Sequence, residues 1–387
     1  MFRKTNSKNT LNRLHHAVCV AALLISLATL PAYAQQVHQL FYNNSYWSDQ
    51  DPNGAQSLSG GPVAAFLTTP NDQTHAYFLA SNNHVHQLFY NGTSWADEDL
   101  TTLSGGPTAT GPVTGFSVGN YQYVYYVSQN SPQDVHQLLY NNAGWVDSDL
   151  TVLSKAKVTA NNFYGLVAFT TSPTLHVYYQ QTGSGDIHQL YSNNGATWQD
   201  QELTQLTGAP KPFVLWSGFN IGNLQYLYYQ DSSYDLHQLY YNNSSWSDSD
   251  LTVSSKSPRP SVYPEYAFVI PGTKKRRIYY LNNTNGHLVQ LATSNGKSWT
   301  NKDLTKKSKG PAPDFDSSIL AYATTPNDQV HVFYETGNHI DHIFQPTPTT
   351  WSNEDLTSLG NGAFAVDFTR LAGFSLQNEQ FVFYVAQ

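Results

Sequence analysis

The chain of 387 residues has almost no sulfur, with Met1 and Cys19 as its single methionine and cysteine. One thiol excludes an intrachain disulfide and any cysteine-built metal centre, so burial and hydrogen bonding must hold the fold together. Charge is scarce as well: Asp, Glu, Lys and Arg make up 12% of the residues. Beyond residue 34, 15 Lys and Arg face 27 Asp and Glu, a net charge of −12. That balance excludes the basic surface a nucleic-acid partner demands. No long apolar run follows Leu30, so no membrane-spanning helix is expected. Helical periodicity is absent throughout. The chain is instead rich in aromatic residues, with 27 Tyr, 19 Phe and 8 Trp. Together with many Asn, Ser and Thr, these suit β-structure and also sugar binding.

At the N-terminus Arg3, Lys4, Lys8 and Arg13 precede an apolar run over 17–30, followed by Ala32-Tyr33-Ala34. A basic head, a short apolar stretch and small residues at a cleavage site predict a signal peptide over 1–34, cut after Ala34. A secreted or periplasmic protein with a single domain over 35–387 is then expected.

One phrase recurs along that domain. It reads Val37-His38-Gln39-Leu40, Val85-His86-Gln87-Leu88, Val135-His136-Gln137-Leu138, Ile187-His188-Gln189-Leu190 and Leu236-His237-Gln238-Leu239. Two altered copies follow, Leu288-Val289-Gln290-Leu291 and Ile340-Asp341-His342-Ile343. Each is trailed by an Asn-rich turn or its equivalent and a tryptophan: Trp47, Trp95, Trp145, Trp198, Trp246, Trp299 and Trp351. The tryptophans are 48 to 53 residues apart, a repeat of propeller-blade length. An aromatic run such as Tyr123-Val124-Tyr125-Tyr126-Val127 precedes the phrase, and a Gly/Ser/Pro connector follows the Trp segment. Four short strands per copy predict an all-β, seven-bladed β-propeller of four-stranded antiparallel blades. The last strand-like run, Phe381-Val382-Phe383-Tyr384-Val385, is of the kind that elsewhere precedes a His-Gln strand. The N- and C-terminal strands are therefore expected to share one blade and close the ring.

In the segment Trp95-Ala96-Asp97-Glu98-Asp99-Leu100-Thr101, alternation puts Trp95, Asp97 and Asp99 on one face. A ring beside carboxylates suits a sugar, whose C–H face lies on the ring and whose hydroxyls donate to the carboxylates. The candidate sugar-binding residues are therefore the seven repeat tryptophans with Asp97, Asp147, Asp200 and Asp248. The same pattern also arises where Trp packs between blades and Asp caps a turn. The repeated histidines read as inter-blade packing groups, since equivalent positions lie around a ring and do not converge on one centre. No metal or cofactor is expected. Catalysis is not expected either, because no unique Ser/His/Asp set or singular carboxylate pair stands out. An arginine cluster of the sialidase kind is lacking, and the turn from Ser192 to Trp198 only loosely resembles a sialidase Asp-box. Eleven of the 15 basic residues lie between Lys256 and Lys309. That cluster fits a solvated hairpin or a dock for an anionic surface.

The order of aromatic strand, His-Gln-Leu-Tyr strand, Asn-rich turn and Trp-x-Asp-x-Asp-Leu-Thr resembles bacterial seven-bladed propeller lectins of the Photorhabdus type. It is more distantly similar to the six-bladed fungal fucose-specific lectins. The resemblance implies several sugar sites between neighbouring blades, taking L-fucose or its O-methylated forms, without catalysis or a required metal. It implies fucosylated glycans as partners and leaves room for oligomerisation. In the fungal lectins an Arg, a Glu and an aromatic residue frame fucose, whereas arginine is missing from most copies here. A secreted protein-interaction scaffold and a glycan-processing enzyme are the two other readings of a propeller.

Overall fold

The computed structural model describes residues 35–386 apart from 53–57, 59–63, 131, 157–159, 161–164, 263–265 and 367–368. The expected signal peptide lies outside the described residues. Among the described residues, twenty-eight strands form seven four-stranded antiparallel sheets. Blade 1 joins Gln36–Tyr42 and Trp47–Gln50 to Ala372–Leu376 and Glu379–Ala386. Val37 pairs with Val385 and Leu40 with Val382, so the two ends of the domain close the ring as the sequence predicts. Blades 2 to 7 span 64–99, 109–149, 166–202, 212–250, 266–303 and 320–355. In each, the first strand is innermost and lies against the first strands of the neighbouring blades.

The aromatic runs form the second strands. Tyr77, Tyr125, Tyr178, Tyr228 and Tyr279 are wholly buried, and so are Phe78, Tyr126, Tyr179, Tyr229 and Tyr280 on the opposite face. A second strand is covered on both faces because a blade packs on each side of it. That explains continuous aromatic runs where a half-exposed sheet would alternate. The apolar core is correspondingly divided among the blade junctions. One cluster joins Tyr178 and Ile187 of blade 4 to Leu215, Leu227 and Leu239 of blade 5.

The Trp-x-Asp-x-Asp-Leu-Thr phrase ends in a feature absent from the sequence reading, a five-residue helix. Six occur among the described residues, beginning with Leu100–Ser104 and Leu150–Ser154. They are too short to show a period in sequence. Asp99 caps the first, accepting from Thr102 N at 2.9 Å. Leu100 is buried, and Thr101 Oγ1 accepts from Val85 N at 2.9 Å. The same threonine bond recurs at Thr151, Thr204, Thr252, Thr305 and Thr357. The phrase thus fastens each helix to the start of its own His-Gln strand.

Candidate functional site

The first aspartate of each phrase turns toward its own blade. Asp97 pairs with His86 at 2.8 Å, Asp147 with His136 at 3.0 Å, Asp200 with His188 at 3.2 Å and Asp248 with His237 at 3.0 Å. Second-strand tyrosines donate to three of them: Tyr126 to Asp147, Tyr179 to Asp200 and Tyr229 to Asp248. The connector after blade 2 crosses this pair so closely that a Cβ on Gly106 would lie 2.8 Å from Tyr126 Oη and 2.9 Å from Asp147 Cγ. These four carboxylates are therefore engaged within the fold.

The seven tryptophans lie at the opposite end of the outer strands, each reaching toward the preceding blade. Trp47, Trp198 and Trp351 are buried, while Trp95, Trp145, Trp246 and Trp299 are half-buried. Trp145 hydrogen-bonds Glu98 of blade 2, and Trp47 Nε1 donates to Glu354 of blade 7 at 3.1 Å. Trp246 meets Tyr178 of blade 4 edge-on, with ring centroids 6.2 Å apart.

A groove of about 750 Å³ opens beside Trp246, between blades 4 and 5. Blade 4 contributes His176, Gln189 and Tyr191; blade 5 contributes Gln225, Tyr241 and Trp246. Neither Asp200 nor Asp248 lines it. Hairpin residues Thr171, Asn193 and Asn243 form the rim. The Asn-rich turns rest on Asn side chains that accept their own backbone amides, as Asn242 does from Ser244 and Ser245 at 2.9 Å.

At the groove floor the polar groups form one network. Gln189 Nε2 donates to His176 Nδ1 at 2.8 Å, which leaves the His176 proton on Nε2, 2.8 Å from Thr171 Oγ1. The Gln189 amide also reaches Tyr178 Oη at 3.1 Å and Gln225 Oε1 at 3.2 Å, and Tyr178 donates to Gln225. Burial holds the His176 pKa down at about 4, so the ring is neutral at ordinary pH. A fixed array of neutral donors and acceptors beside an aromatic wall can orient an uncharged polyol.

Two other junctions share this plan. Between blades 2 and 3, His75 meets Thr68 at 3.1 Å and Gln87 at 2.6 Å, Tyr77 donates to Gln122, and burial again holds the histidine at about 4. Between blades 7 and 1, His331 meets Thr324 at 3.3 Å and His342 at 2.9 Å, and His342 Nδ1 meets Glu354 at 2.9 Å. From sequence, sugar contact is expected at Trp and Asp, and this inner set lies outside that expectation. Its trace in the sequence is a histidine two residues before the buried aromatic of the second strand, present in three of the seven blades as His75, His176 and His331.

The chain is similar in sequence and fold to known proteins. The model of the family described as fungal fucose-specific lectin matches residues 152–365, more than half of the chain. Among solved structures, an Aleuria aurantia lectin variant in complex with alpha-methyl-L-fucoside is similar at 18% identity and TM-score 0.53. It covers 76% of this chain and 93% of its own. The protein AofleA of Arthrobotrys oligospora is 15% identical with TM-score 0.54, covering 91% of this chain and 94% of its own. At these identities the structures show a shared propeller fold. The Aleuria lectin has six blades, one fewer than this ring. No curated protein matches the chain by sequence.

Proposed function

The chain belongs to the fungal fucose-specific lectin family and is a carbohydrate-binding lectin, and we propose that it binds fucose without turnover in grooves between adjacent blades. The observation that carries this reading is the junction of blades 4 and 5. There one blade brings the His176–Gln189 network and the next brings the Trp246 wall. Fucose has the matching two sides: a 6-methyl and C–H face for the indole, and hydroxyls for the amides of Gln189 and Gln225. The groove lining holds His176 and Gln189 and no Asp, Glu, Lys or Arg, so it offers polarity without net charge. The kindred junctions at His75 and His331 make the protein multivalent, and display of several weak sites raises avidity without new contacts. The seven blades support a place nearer the bacterial Photorhabdus type than the six-bladed fungal lectins. Export by the N-terminal 34 residues would bring these grooves to glycans outside the cytoplasm.

Calorimetric titration with alpha-methyl-L-fucoside tests the proposal. Trp246→Ala should lower the stoichiometry by one site while the remaining sites keep their affinity, and Gln189→Ala should do the same. Unchanged stoichiometry in both variants, with melting curves showing an intact fold, would move the pockets elsewhere. Release of a chromophore from a nitrophenyl fucoside would overturn the non-enzymatic part.

A further inference from the structure

We infer that blade 2 carries a binding site for one divalent cation of the zinc type, made by His84, His86 and Asp99. One donor atom from each lies within 4.8 Å of the others. His84 Nδ1 is 2.7 Å and His86 Nε2 is 3.9 Å from the same oxygen, Asp99 Oδ2. Two ligands on a tetrahedral ion, each about 2.1 Å from it, are about 3.4 Å apart, so the cluster needs only small adjustments to close on a metal.

The argument rests on His86. It is 4% exposed, and its Nδ1–H donates to Asp97 at 2.8 Å. That bond fixes the tautomer and leaves the lone pair on Nε2, aimed at Asp99 with no hydrogen-bond partner. A carboxylate behind one ring nitrogen and an open lone pair on the other is how metal-bound histidines are prepared. Asp99 is anchored too: its Oδ1 accepts from Thr102 N, and its Oδ2 accepts from Thr102 Oγ1 at 2.7 Å while facing the imidazoles. The side chains of His84 and Asp99 are 25% and 29% exposed, enough to admit an ion and a fourth, water ligand. On binding, His84 would present its Nδ1 lone pair to the metal, with its ring N–H on Nε2, in place of the bond to Asp99.

The repeat supplies its own controls. Blades 3, 4 and 5 have Asp134, Asp186 and Asp235 where blade 2 has His84, and Arg259 pairs with Asp235. Blade 6 keeps His287 with Asp303 but has Val289 in place of His86. The site lies at the far end of the strand Val85–Tyr90 from the hairpin that leads to Trp95, so it is separate from the sugar grooves.

The test uses the whole chain, stripped with EDTA and dialysed, then titrated with zinc chloride by calorimetry and with Co2+ by absorption. One Zn2+ per chain is expected, with a raised melting temperature and the visible bands of four-coordinate Co2+. His84→Ala should weaken binding about 10- to 100-fold, and His86→Ala at least as much. His287→Ala should change nothing. Because His86→Ala removes a buried group, the half-exposed His84 variant decides the matter. Absence of saturable binding below 1 mM, or equal binding by His84→Ala, would overturn the site.

Discussion

The junction between blades 4 and 5 and the junction between blades 5 and 6 are built on one plan but present different surfaces. In the first, His176 sits two residues before the buried Tyr178, and Gln225 faces it from the next blade. In the second, strand register puts Tyr226 at the histidine position and Arg276 at the Gln225 position. Arg276 is buried, with its guanidinium 4.3 Å from the Tyr226 ring centre and 5.2 Å from that of Trp299. Its Nη1 donates to Gln238 Oε1 at 2.8 Å. The cation thus occupies the space between indole and amide that stays open beside Trp246. The repeat makes seven junctions, and a few residues outside the repeated phrase decide which of them are open.

Both junctions depend on ring closure, so the largest effect comes from breaking the ring. Truncation after Asn378 removes the strand Glu379–Ala386, which pairs with Gln36–Tyr42 on one side and Ala372–Leu376 on the other. It also exposes the pocket around Phe383 and Tyr384, both wholly buried. The loss should exceed the whole stability of a typical domain, about 5–15 kcal/mol. Circular dichroism and size exclusion should show an unfolded or aggregated product. A soluble truncated chain that melts like the intact one would refute closure by shared strands.

The next contrast is acidity. His75 and His176 have pKa values held at about 4 by burial, against an ordinary value of 6.5. Between pH 6.5 and 4 the unfolded chain therefore takes up protons that the folded chain refuses. Stability is fully present above pH 6.5 and falls as the pH drops through this window, by on the order of 3 kcal/mol per histidine. Asp341, raised to about 7 by burial and then by the Asp355 charge, works in the opposite sense. It takes up its proton in the folded state, so its contribution is lost as the pH rises from 3.8 to 7. With two histidines against it, the net slope should follow the histidines. Urea unfolding at pH 7 and 4.5 should show the loss, and His176→Gln should remove part of it. Fucoside uptake beside Trp246 should hold through this window and fade only as the pH falls through about 4, where folded His176 takes up its proton and Nδ1 can no longer accept from Gln189. A pH-independent urea midpoint would contradict the buried, neutral state of these rings.

The ring was legible in the sequence because its signals are repeated: seven tryptophans in register, aromatic second strands and an unmatched last strand. The groove was less legible. In Trp95-Ala96-Asp97 the ring and the carboxylate share a face, but the strand carries Trp95 out to the hairpin end and Asp97 inward to His86. Sharing a face does not bring two side chains to one ligand. The inner groups come from a second strand and from the next blade, as His176 and Gln225 do, and no spacing along one strand joins them. The basic cluster was visible as a stretch of charge, but not that Arg276 turns inward, while Arg259 binds Asp235 and Lys275 lies 3.6 Å from Asp328.

The smallest expected effect bears most directly on the two junctions. Arg276→Gln removes a charged hydrogen bond to Gln238 and a cation stacked on two rings, together worth about 1–3 kcal/mol where exposure is low. The melting temperature should fall by a few degrees, since this ring is large. The single change leaves Tyr226 in the groove, so little new sugar binding is expected. Adding Tyr226→His supplies the acceptor for Gln238 and reproduces the His176, Gln189 and Gln225 arrangement one blade further on. The double variant should then take up one more alpha-methyl-L-fucoside per chain than the natural protein, with Trp299 as its wall. Tryptophan fluorescence should report the ligand at that position, and Trp299→Ala in the same background should abolish the added site. A well-folded double variant with unchanged stoichiometry would show that the hairpin rims, rather than these two positions, decide which junction binds.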